Sequence, residues 1–253
     1  MKEVHISVVE DSKYLDFLYR NGGTFYYTKE SLEYHATDSC NETVVGIDSL
    51  GGIVYVRPSM DFELVGMNPF LSFPERHIDE SENGETMYFV ANGNLDVLVH
   101  NPFEFRKTRK SYASSIRKNK DFIEIRMIDV ESYDDYVEFH MKIKGDVRSQ
   151  SLYDAGRHLV DIGYEKIFVA IYEGEIVGAV SFYYFNRCMH YNSAAIDHEV
   201  KKFQNHILID HVISKYESEY IELGSVDYSS EKMKSITFFK KGFANDIFKR
   251  LIK

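Results

Sequence analysis

Cysteine and proline are scarce in this chain, which has two cysteines and four prolines in 253 residues. Cys40 and Cys188 form no CxxC pair, so the sequence indicates neither a disulfide framework nor a structural zinc site. No apolar run approaches the ~20 residues of a membrane-spanning helix, and the first residues contain no signal-peptide core. We therefore expect a soluble, folded, cytoplasmic protein with no bound metal and no membrane insertion.

Several catalytic motifs are also missing. The sequence has no GxSxG nucleophile elbow, no HExxH, no Walker loop and no GxGxxG turn between a strand and a helix. Their absence argues against a serine hydrolase, a zinc protease, a P-loop ATPase and a dinucleotide-binding enzyme.

Charge is divided unevenly along the chain. Residues 1–105 carry a net charge of −12 and residues 106–253 a net charge of +2, within a total of −10. Two stretches of the second part are basic: 106–126 has eight basic and two acidic residues, and 232–253 has seven and one. Such clusters attract phosphate-bearing ligands, although each is also compatible with a solvated helix face. Because a general nucleic-acid binder would be basic overall, we expect an anionic ligand on the second half and no DNA binding.

The apolar periodicity predicts helices and strands in both parts of the chain. Residues 1–105 read as a strand, two helices and a hairpin. Residues 106–253 read as a basic helix, a strand, two helices, three antiparallel strands, a helix, a strand, a helix and a last strand. Hairpins beside helical crossovers predict an α+β fold, in which a mixed sheet carries helices on both faces. Among the individual predictions are strands at 87–91 and 243–248 and a helix over 203–218.

Five segments of the second part resemble one family of acyltransferases. They are KSYASSIRKNKDFIEIR (110–126), EGEIVGAVSF (173–182), MHYNSAA (189–195), NHILIDHVI followed by IELG (205–213 and 221–224), and FFKKGF (238–243). In order and spacing they are similar to the Fem-type, or FemABX-like, branch of the GNAT superfamily. The resemblance implies tandem GNAT-like modules: a partial, acidic module over residues 1–105 and the acyltransferase module over residues 106–253.

The same resemblance implies N-acyl or aminoacyl transfer to an amine of a sugar, peptide or cell-envelope precursor. The donor would be acyl-CoA or aminoacyl-tRNA, which bind as co-substrates, with no tightly bound cofactor. Ordinary GNAT enzymes hold the donor pyrophosphate in a glycine-rich loop, but the corresponding loop here, residues 196–205, contains no glycine. Fem-type proteins also lack that loop, so both donors remain open.

The catalytic candidates are Lys240 and Tyr191. Acyl transfer needs an aligned amine and hydrogen-bond donors directed at the developing oxyanion. By resemblance to the FKxGF-like segment of the family, Lys240 would stabilise the oxyanion or the end of the donor, and Phe239 would shape the acyl pocket. Lys240 and Lys241 are also suited to neutralise a helix C-terminus. Tyr191 interrupts an apolar strand, where its hydroxyl would serve either a substrate phosphate or carbonyl, or a structural hydrogen bond.

The remaining candidates would bind the two substrates. The donor-binding candidates lie in the third antiparallel strand or beside the loop that follows it: Asn192, Lys201, Lys202 and Asn205. The acceptor-binding candidates are arginines and a serine suited to phosphate recognition: Arg148 and Ser149 after a helix break, and Arg109 and Arg117 on the basic helix. Each arginine is also compatible with an ordinary solvated surface.

Two histidines follow the same loop. No carboxylate is spaced to pair with His206 or His211, so we expect structural roles for both. Two functions remain open at this point. One is an acyltransferase that acts on a small-molecule or nucleotide-linked acceptor, with tRNA as one candidate carrier of the donor. The other is a non-catalytic module that binds a phosphoryl ligand on a GNAT scaffold. The sequence gives neither the acceptor, nor the acyl group, nor the oligomeric state.

Overall fold

The computed structural model describes residues 2–20, 25, 28–36, 44–57, 93–100, 108–200, 205–215 and 220–252. The chain divides into two compact units, one formed by residues 1–94 with 251–253 and the other by residues 95–250. The module boundary predicted between residues 105 and 106 stays a prediction.

The described residues of the first unit form two helices and a three-stranded antiparallel sheet. Its elements are β1 (Lys2–His5), a 3₁₀ turn (Ile6–Val8), α1 (Asp11–Arg20), α2 (Lys29–Ala36), β2 (Val44–Ile47) and β3 (Ile53–Arg57). The strands pair in the order β1-β2-β3. Tyr14 and Leu18, one turn apart on α1, are fully buried, which is the amphipathic spacing that makes this stretch a helix.

A seven-stranded mixed sheet forms the second part of the fold. Its elements are β4 (Gly93–His100), α3 (Lys110–Asn119), a 3₁₀ turn (Lys120–Phe122), β5 (Glu124–Met127), α4 (Tyr133–Lys144), α5 (Gln150–Asp161), β6 (Glu165–Tyr172), β7 (Glu175–Phe185), β8 (Cys188–Ile196), α6 (His206–Lys215), β9 (Tyr220–Ser225), α7 (Glu231–Lys241) and β10 (Asp246–Ile252). The strand order is β10-β4-β9-β8-β7-β6-β5, and β8 and β9 run parallel.

Both faces of this sheet are covered. Along β6, Phe168 and Ala170 belong to one hydrophobic core, whereas Ile167 and Val169 belong to another, because successive side chains of a strand point to opposite faces. The first core includes residues of α3 and α6, and the second includes residues of α4. We call these the α3/α6 face and the α4 face.

The predicted α+β fold with a mixed sheet is confirmed. The last strand begins later than the predicted 243–248, because α7 runs to Lys241 and the backbone N–H of Phe243 still bonds to the carbonyl of Lys240 (3.0 Å). The strand predicted at 87–91 lies outside the described residues, as do both ends of the helix predicted at 203–218. Within the described ranges, every helix is too short or too polar to cross a bilayer.

Candidate functional site

Strands β8 and β9 separate part of the way along their length. They pair over three residues, and the last pair is His190 with Glu222. Beyond it, β8 continues to Ile196 alongside β7, whereas β9 continues to Ser225 alongside β4. The two strands therefore leave a wedge-shaped opening within the sheet, which we call the slot.

One wall of the slot carries a β-bulge at Asn192. Ser181 of β7 pairs with Ser193, and the next residue, Phe182, pairs with Tyr191, so Asn192 is the extra residue of the ladder. A bulge of one residue reverses the side-chain alternation beyond it. Tyr191 packs on the α3/α6 face and Asn192 bonds to Ser181 on the other, as in a regular strand, and the bulge then places Ser193 on the same face as Asn192.

The side chain of Lys240 enters the slot from the end of α7. Its Nζ lies 5.2 Å from the centre of the Tyr191 ring on β8. On the β9 side, Nζ lies 2.7 Å from the point that a Cβ on Gly224 would occupy. Gly224 also has a φ of +89°, so glycine is the residue that leaves room for the ammonium without backbone strain. Lys240 and Tyr191, predicted together from the sequence, thus meet between the two separated strands.

Burial changes the acid–base properties of both side chains. Desolvation lowers the pKa of Lys240 to about 8, while the negative charge of Glu222 acts in the opposite direction. Desolvation raises the pKa of Tyr191 to about 12, although a hydrogen bond from Asn205 acts to lower it. Near neutral pH the Lys240 amine is therefore mostly protonated, although its pKa is only about one unit higher than the pH. The Tyr191 hydroxyl is neutral.

An aromatic cluster on the α3/α6 face adjoins the segment that carries Lys240. From ring centre to ring centre, His206 lies 4.0 Å from Tyr112, 5.0 Å from Phe239 and 6.0 Å from Phe243. Burial lowers the pKa of His206, so the imidazole is neutral near pH 7.

Three buried polar atoms at the start of α6 make no hydrogen bond to any described residue. They are both ring nitrogens of His206 and Oδ1 of Asn205, the residue whose side chain also bonds to Tyr191. Buried polar groups in folded proteins are nearly always paired, so we expect water or a bound molecule to contact these atoms.

The basic helix α3 is fastened to the segment that carries Lys240. The backbone N–H of Arg109 donates to the carbonyl of Gly242 (3.0 Å), and its guanidinium carbon lies 3.6 Å from the centre of the Phe238 ring. A Cβ on Gly242 would lie 2.0 Å from the ring of Tyr112. Close packing against α3 therefore explains the glycine of the FFKKGF segment.

A buried polar network lies on the α4 face beside the bulge. Glu165 is 3% exposed, and the Ser181 hydroxyl donates to its Oε1 at 2.7 Å. The amide of Asn192 donates to the Ser181 hydroxyl at 2.9 Å. Desolvation raises the pKa of Glu165. The hydrogen bonds from Ser181 and Asn192 and the charge of Arg148 act to lower it. The network holds the bulged residue in one orientation.

Arg148 lies on the same face with two lysines nearby. Its guanidinium donates to the hydroxyls of Tyr136 and Ser193, each at 3.4 Å. Desolvation lowers the pKa of Lys144, and the charges of Lys232 and Arg148 lower it further. Lys144, Arg148 and Lys232 therefore influence one another electrostatically, and an anionic ligand would relieve this repulsion.

The structure brings four of the predicted residues together around the slot and the start of α6: Lys240, Tyr191, Asn205 and Phe239. It separates Asn192 from them, because that amide lies on the opposite face of the sheet, in the Glu165 network. Ser149 is the N-cap of α5, with its hydroxyl accepting from the backbone N–H of Leu152 at 3.3 Å.

The predicted acceptor residues do not form one group. Arg148 lies on the α4 face, but Arg109 packs against α7 on the α3/α6 side, and Arg117 is exposed on the last turn of α3. The sequence places these arginines in one basic half of the chain but cannot tell which face of the sheet each element covers. Lys201 and Lys202 lie outside the described residues.

Two residues at the closed end of the slot were not predicted from the sequence. Glu222 and His190 are both buried, and Nδ1 of His190 lies 3.0 Å from Oε2 of Glu222. The available signals were a carboxylate inside the apolar strand YIELG and a histidine inside MHYNSAA. Over the described ranges, no group of three or more histidine, cysteine, aspartate or glutamate side chains is arranged to hold a metal ion.

The fold is similar to that in the crystal structure of FemX, with a TM-score of 0.65 and 10% sequence identity, over 99% of this chain and 95% of that chain. A conserved protein of unknown function from Bacteroides thetaiotaomicron gives a TM-score of 0.44 at 11% identity, over 61% of this chain and 57% of that one. An aminoglycoside acetyltransferase from an uncultured soil metagenomic sample, in complex with sisomicin, gives 0.37 at 12% identity, over 48% and 87%. No family model and no curated protein sequence matches the chain. The chain therefore has a FemX-like fold.

Proposed function

We propose that this protein is an acyltransferase that moves an acyl or aminoacyl group from a thioester or ester donor to an amine. The observation that carries the proposal is the position of the Lys240 ammonium, which lies between two separated strands beside Tyr191 and Gly224. The FemX-like fold and the resemblance of five sequence segments to Fem-type acyltransferases support the same function.

The chemistry at the slot is a substitution at a carbonyl carbon. The neutral acceptor amine attacks that carbon, a C–N bond forms, and the C–S or C–O bond to the carrier breaks. The proton released by the amine ends on the leaving sulfur or oxygen. The Lys240 ammonium and the Tyr191 hydroxyl would donate hydrogen bonds to the oxyanion that develops between these steps, and a partly desolvated site strengthens such bonds.

The donor would lie on the α3/α6 face. There the start of α6 presents the unpaired polar atoms of Asn205 and His206, and Phe239 supplies an apolar wall. Acyl-CoA and aminoacyl-tRNA both place an acyl group next to a phosphate-bearing carrier, and the basic helix α3 fits either of them.

The acceptor would lie on the α4 face. Arg148 contacts Ser193, which is adjacent to the bulge, and Lys144 and Lys232 add positive charge at the same place. Arginine beside lysine suits a phosphate or diphosphate, so the acceptor class is an amine on a phosphorylated or nucleotide-linked sugar or peptide, such as a cell-envelope precursor.

The test is release of the carrier from the donor. Purified protein is incubated with acetyl-CoA or with aminoacyl-tRNA, together with a nucleotide-linked amino sugar or an amine-bearing peptide, and free thiol or free tRNA is measured. Lys240→Met is expected to reduce the rate about 10²–10³-fold, the usual loss when one oxyanion donor is removed. Tyr191→Phe is expected to reduce it about tenfold, because it removes a neutral donor.

The matched control is Lys241→Met, which changes an exposed lysine on the same turn of α7. Its rate is expected to stay within about twofold of the wild type. Equal loss in both lysine variants would contradict the assignment of Lys240. If neither donor is ever consumed while a phosphorylated ligand raises the melting temperature, the protein is the non-catalytic phosphoryl-binding module.

A further inference from the structure

The closed end of the slot holds two buried ionisable side chains. His190 and Glu222 are 1% and 4% exposed, and they form the last pair between β8 and β9. Nδ1 of His190 lies 3.0 Å from Oε2 of Glu222. An ionised carboxylate only accepts hydrogen bonds, so the Nδ1 of this pair carries the proton. A carboxylate buried to this degree persists only where hydrogen bonds and an opposite charge compensate for lost hydration.

Lys240 supplies an opposite charge that acts on this carboxylate. The ammonium lies against Gly224, two residues beyond Glu222 on β9, and the carboxylate favours its charged form. In the described part of the chain, the titratable groups that face Lys240 are Tyr191 from β8 and Glu222 from β9. Its neighbour on α7, Lys241, is exposed.

We infer that Glu222, held in position by His190, is the counter-ion that keeps the Lys240 ammonium in the slot and sets the pH at which it loses its proton. Glu222 is then a positioning residue, because it acts on the substrate only through Lys240. Its effect on turnover rests on the proposed acyl transfer, whereas the pairing with Lys240 needs no substrate.

Two opposing effects act on Lys240. Burial favours the neutral amine, and the Glu222 carboxylate favours the ammonium. Without the carboxylate, burial would act alone, and Lys240 would be neutral over more of the physiological pH range. A neutral amine is a weaker hydrogen-bond donor to an oxyanion than an ammonium, so the reaction needs the charge to persist.

The first experiment measures the ionisation of Lys240 directly. Trace labelling with acetic anhydride from about pH 6 to pH 11, followed by mass spectrometry of the Lys240 peptide, gives the apparent pKa of that amine without any substrate. Glu222→Gln keeps the shape of the side chain and removes its charge. It is expected to lower this pKa by about one unit, the lower end of the effect of a nearby opposite charge. An unchanged value overturns the inference.

The control is Glu165→Gln, which removes another carboxylate buried in the same sheet, with Ser181 and Asn192 as its partners instead of Lys240. It is expected to leave the labelling pKa of Lys240 unchanged, and an equal fall in both variants overturns the inference. If Glu222→Gln does not fold, Glu222→Asp is measured instead. This variant keeps the charge but moves it one methylene further from Lys240. The labelling pKa of Lys240 is expected to fall less than in Glu222→Gln, and an unchanged pKa would contradict the inference.

The second experiment follows turnover. In Glu222→Gln the alkaline limb of kcat/KM against pH is expected to move down by the same amount as the labelling pKa. His190→Asn retains an N–H at the position of Nδ1 and is expected to keep the wild-type profile, whereas His190→Leu removes it and is expected to displace the profile. If the labelling pKa of Lys240 falls in Glu222→Gln but no acyl transfer is measurable, the inference about Glu222 is supported and the proposed function is contradicted. If acyl transfer is measured but the labelling pKa is unchanged, the proposed function is supported and the inference about Glu222 is contradicted.

Discussion

The Nζ of Lys240 lies 2.7 Å from the point at which a Cβ on Gly224 would begin. A side chain at position 224 and the ammonium of Lys240 therefore compete for one place between β8 and β9. The position of the lysine in FFKKGF therefore depends on the glycine in IELG, although the two residues are in different elements.

Gly224→Ala tests that competition. The added methyl group is expected to displace the ammonium and to lower kcat about tenfold or more, since a misplacement near 1 Å is costly in a catalytic site. Gly224 also has a positive φ, so a strain control is needed. Gly174→Ala provides it, because Gly174 has a φ of +87° with open space around its Cβ position. Equal loss of carrier release in both variants would attribute the effect to backbone strain.

Lys240→Met is expected to change how stability depends on pH above about pH 8. Burial lowers the pKa of Lys240 from 10.5 to about 8, so the unfolded chain binds more protons than the folded one between these values. The cost of burying the charge is therefore fully present below about pH 8 and disappears as the pH rises towards 10.5. Urea unfolding of both proteins at several pH values should show that the unfolding free energy of the wild type rises relative to that of Lys240→Met over this interval. A constant difference would contradict the burial of the charge.

His140 is expected to limit stability in acid. It is 3% exposed, and its Nδ1 lies 2.8 Å from the hydroxyl of Tyr153. Burial, together with the charges of Arg148 and Lys144, lowers its pKa from 6.5 to about 4. Because the unfolded chain takes up this proton first, stability should fall by about 2 kcal/mol as the pH falls from 6.5 to 4.

Unfolding measurements on His140→Asn check this prediction, since the variant keeps a polar atom near Nδ1 but does not titrate in this range. Its stability is expected to depend less on pH between 6.5 and 4 than that of the wild type. His158→Asn, on the exposed face of α5, is the control and should retain the wild-type acid dependence. If the stability of His140→Asn depends on pH as steeply as that of the wild type, other groups cause the loss of stability in acid.

Gly242 and Tyr112 are expected to be energetically coupled. Gly242→Ala should cost about 1–3 kcal/mol of unfolding free energy, because its Cβ would lie 2.0 Å from the Tyr112 ring. Tyr112→Leu removes the ring and leaves space for the methyl group. The double variant should therefore lose at least about 1 kcal/mol less than the sum of the two single losses, measured by urea unfolding. Strict additivity would show that the ring does not set the need for glycine.

The order of the elements and the two main catalytic candidates could be predicted from the amino-acid sequence. Apolar periodicity depends on neighbours within one element, so the strands, the helices and the α+β class were predictable. Lys240 and Tyr191 were predictable because each stands in a segment that resembles a family motif, and both lie at the slot.

Which residues share a face of the sheet could not be predicted and follows from the pairing and packing of the elements. The bulge between β7 and β8 puts Asn192 and Ser193 on the same face, beside Glu165 and Arg148, and a bulge exists only once two strands have paired. Packing likewise separates Arg109 from Arg148 and brings Gly224 of β9 against the ammonium of Lys240. Spacing along the chain specifies alternation within a strand, but the register between strands distant in sequence fixes which side chains meet.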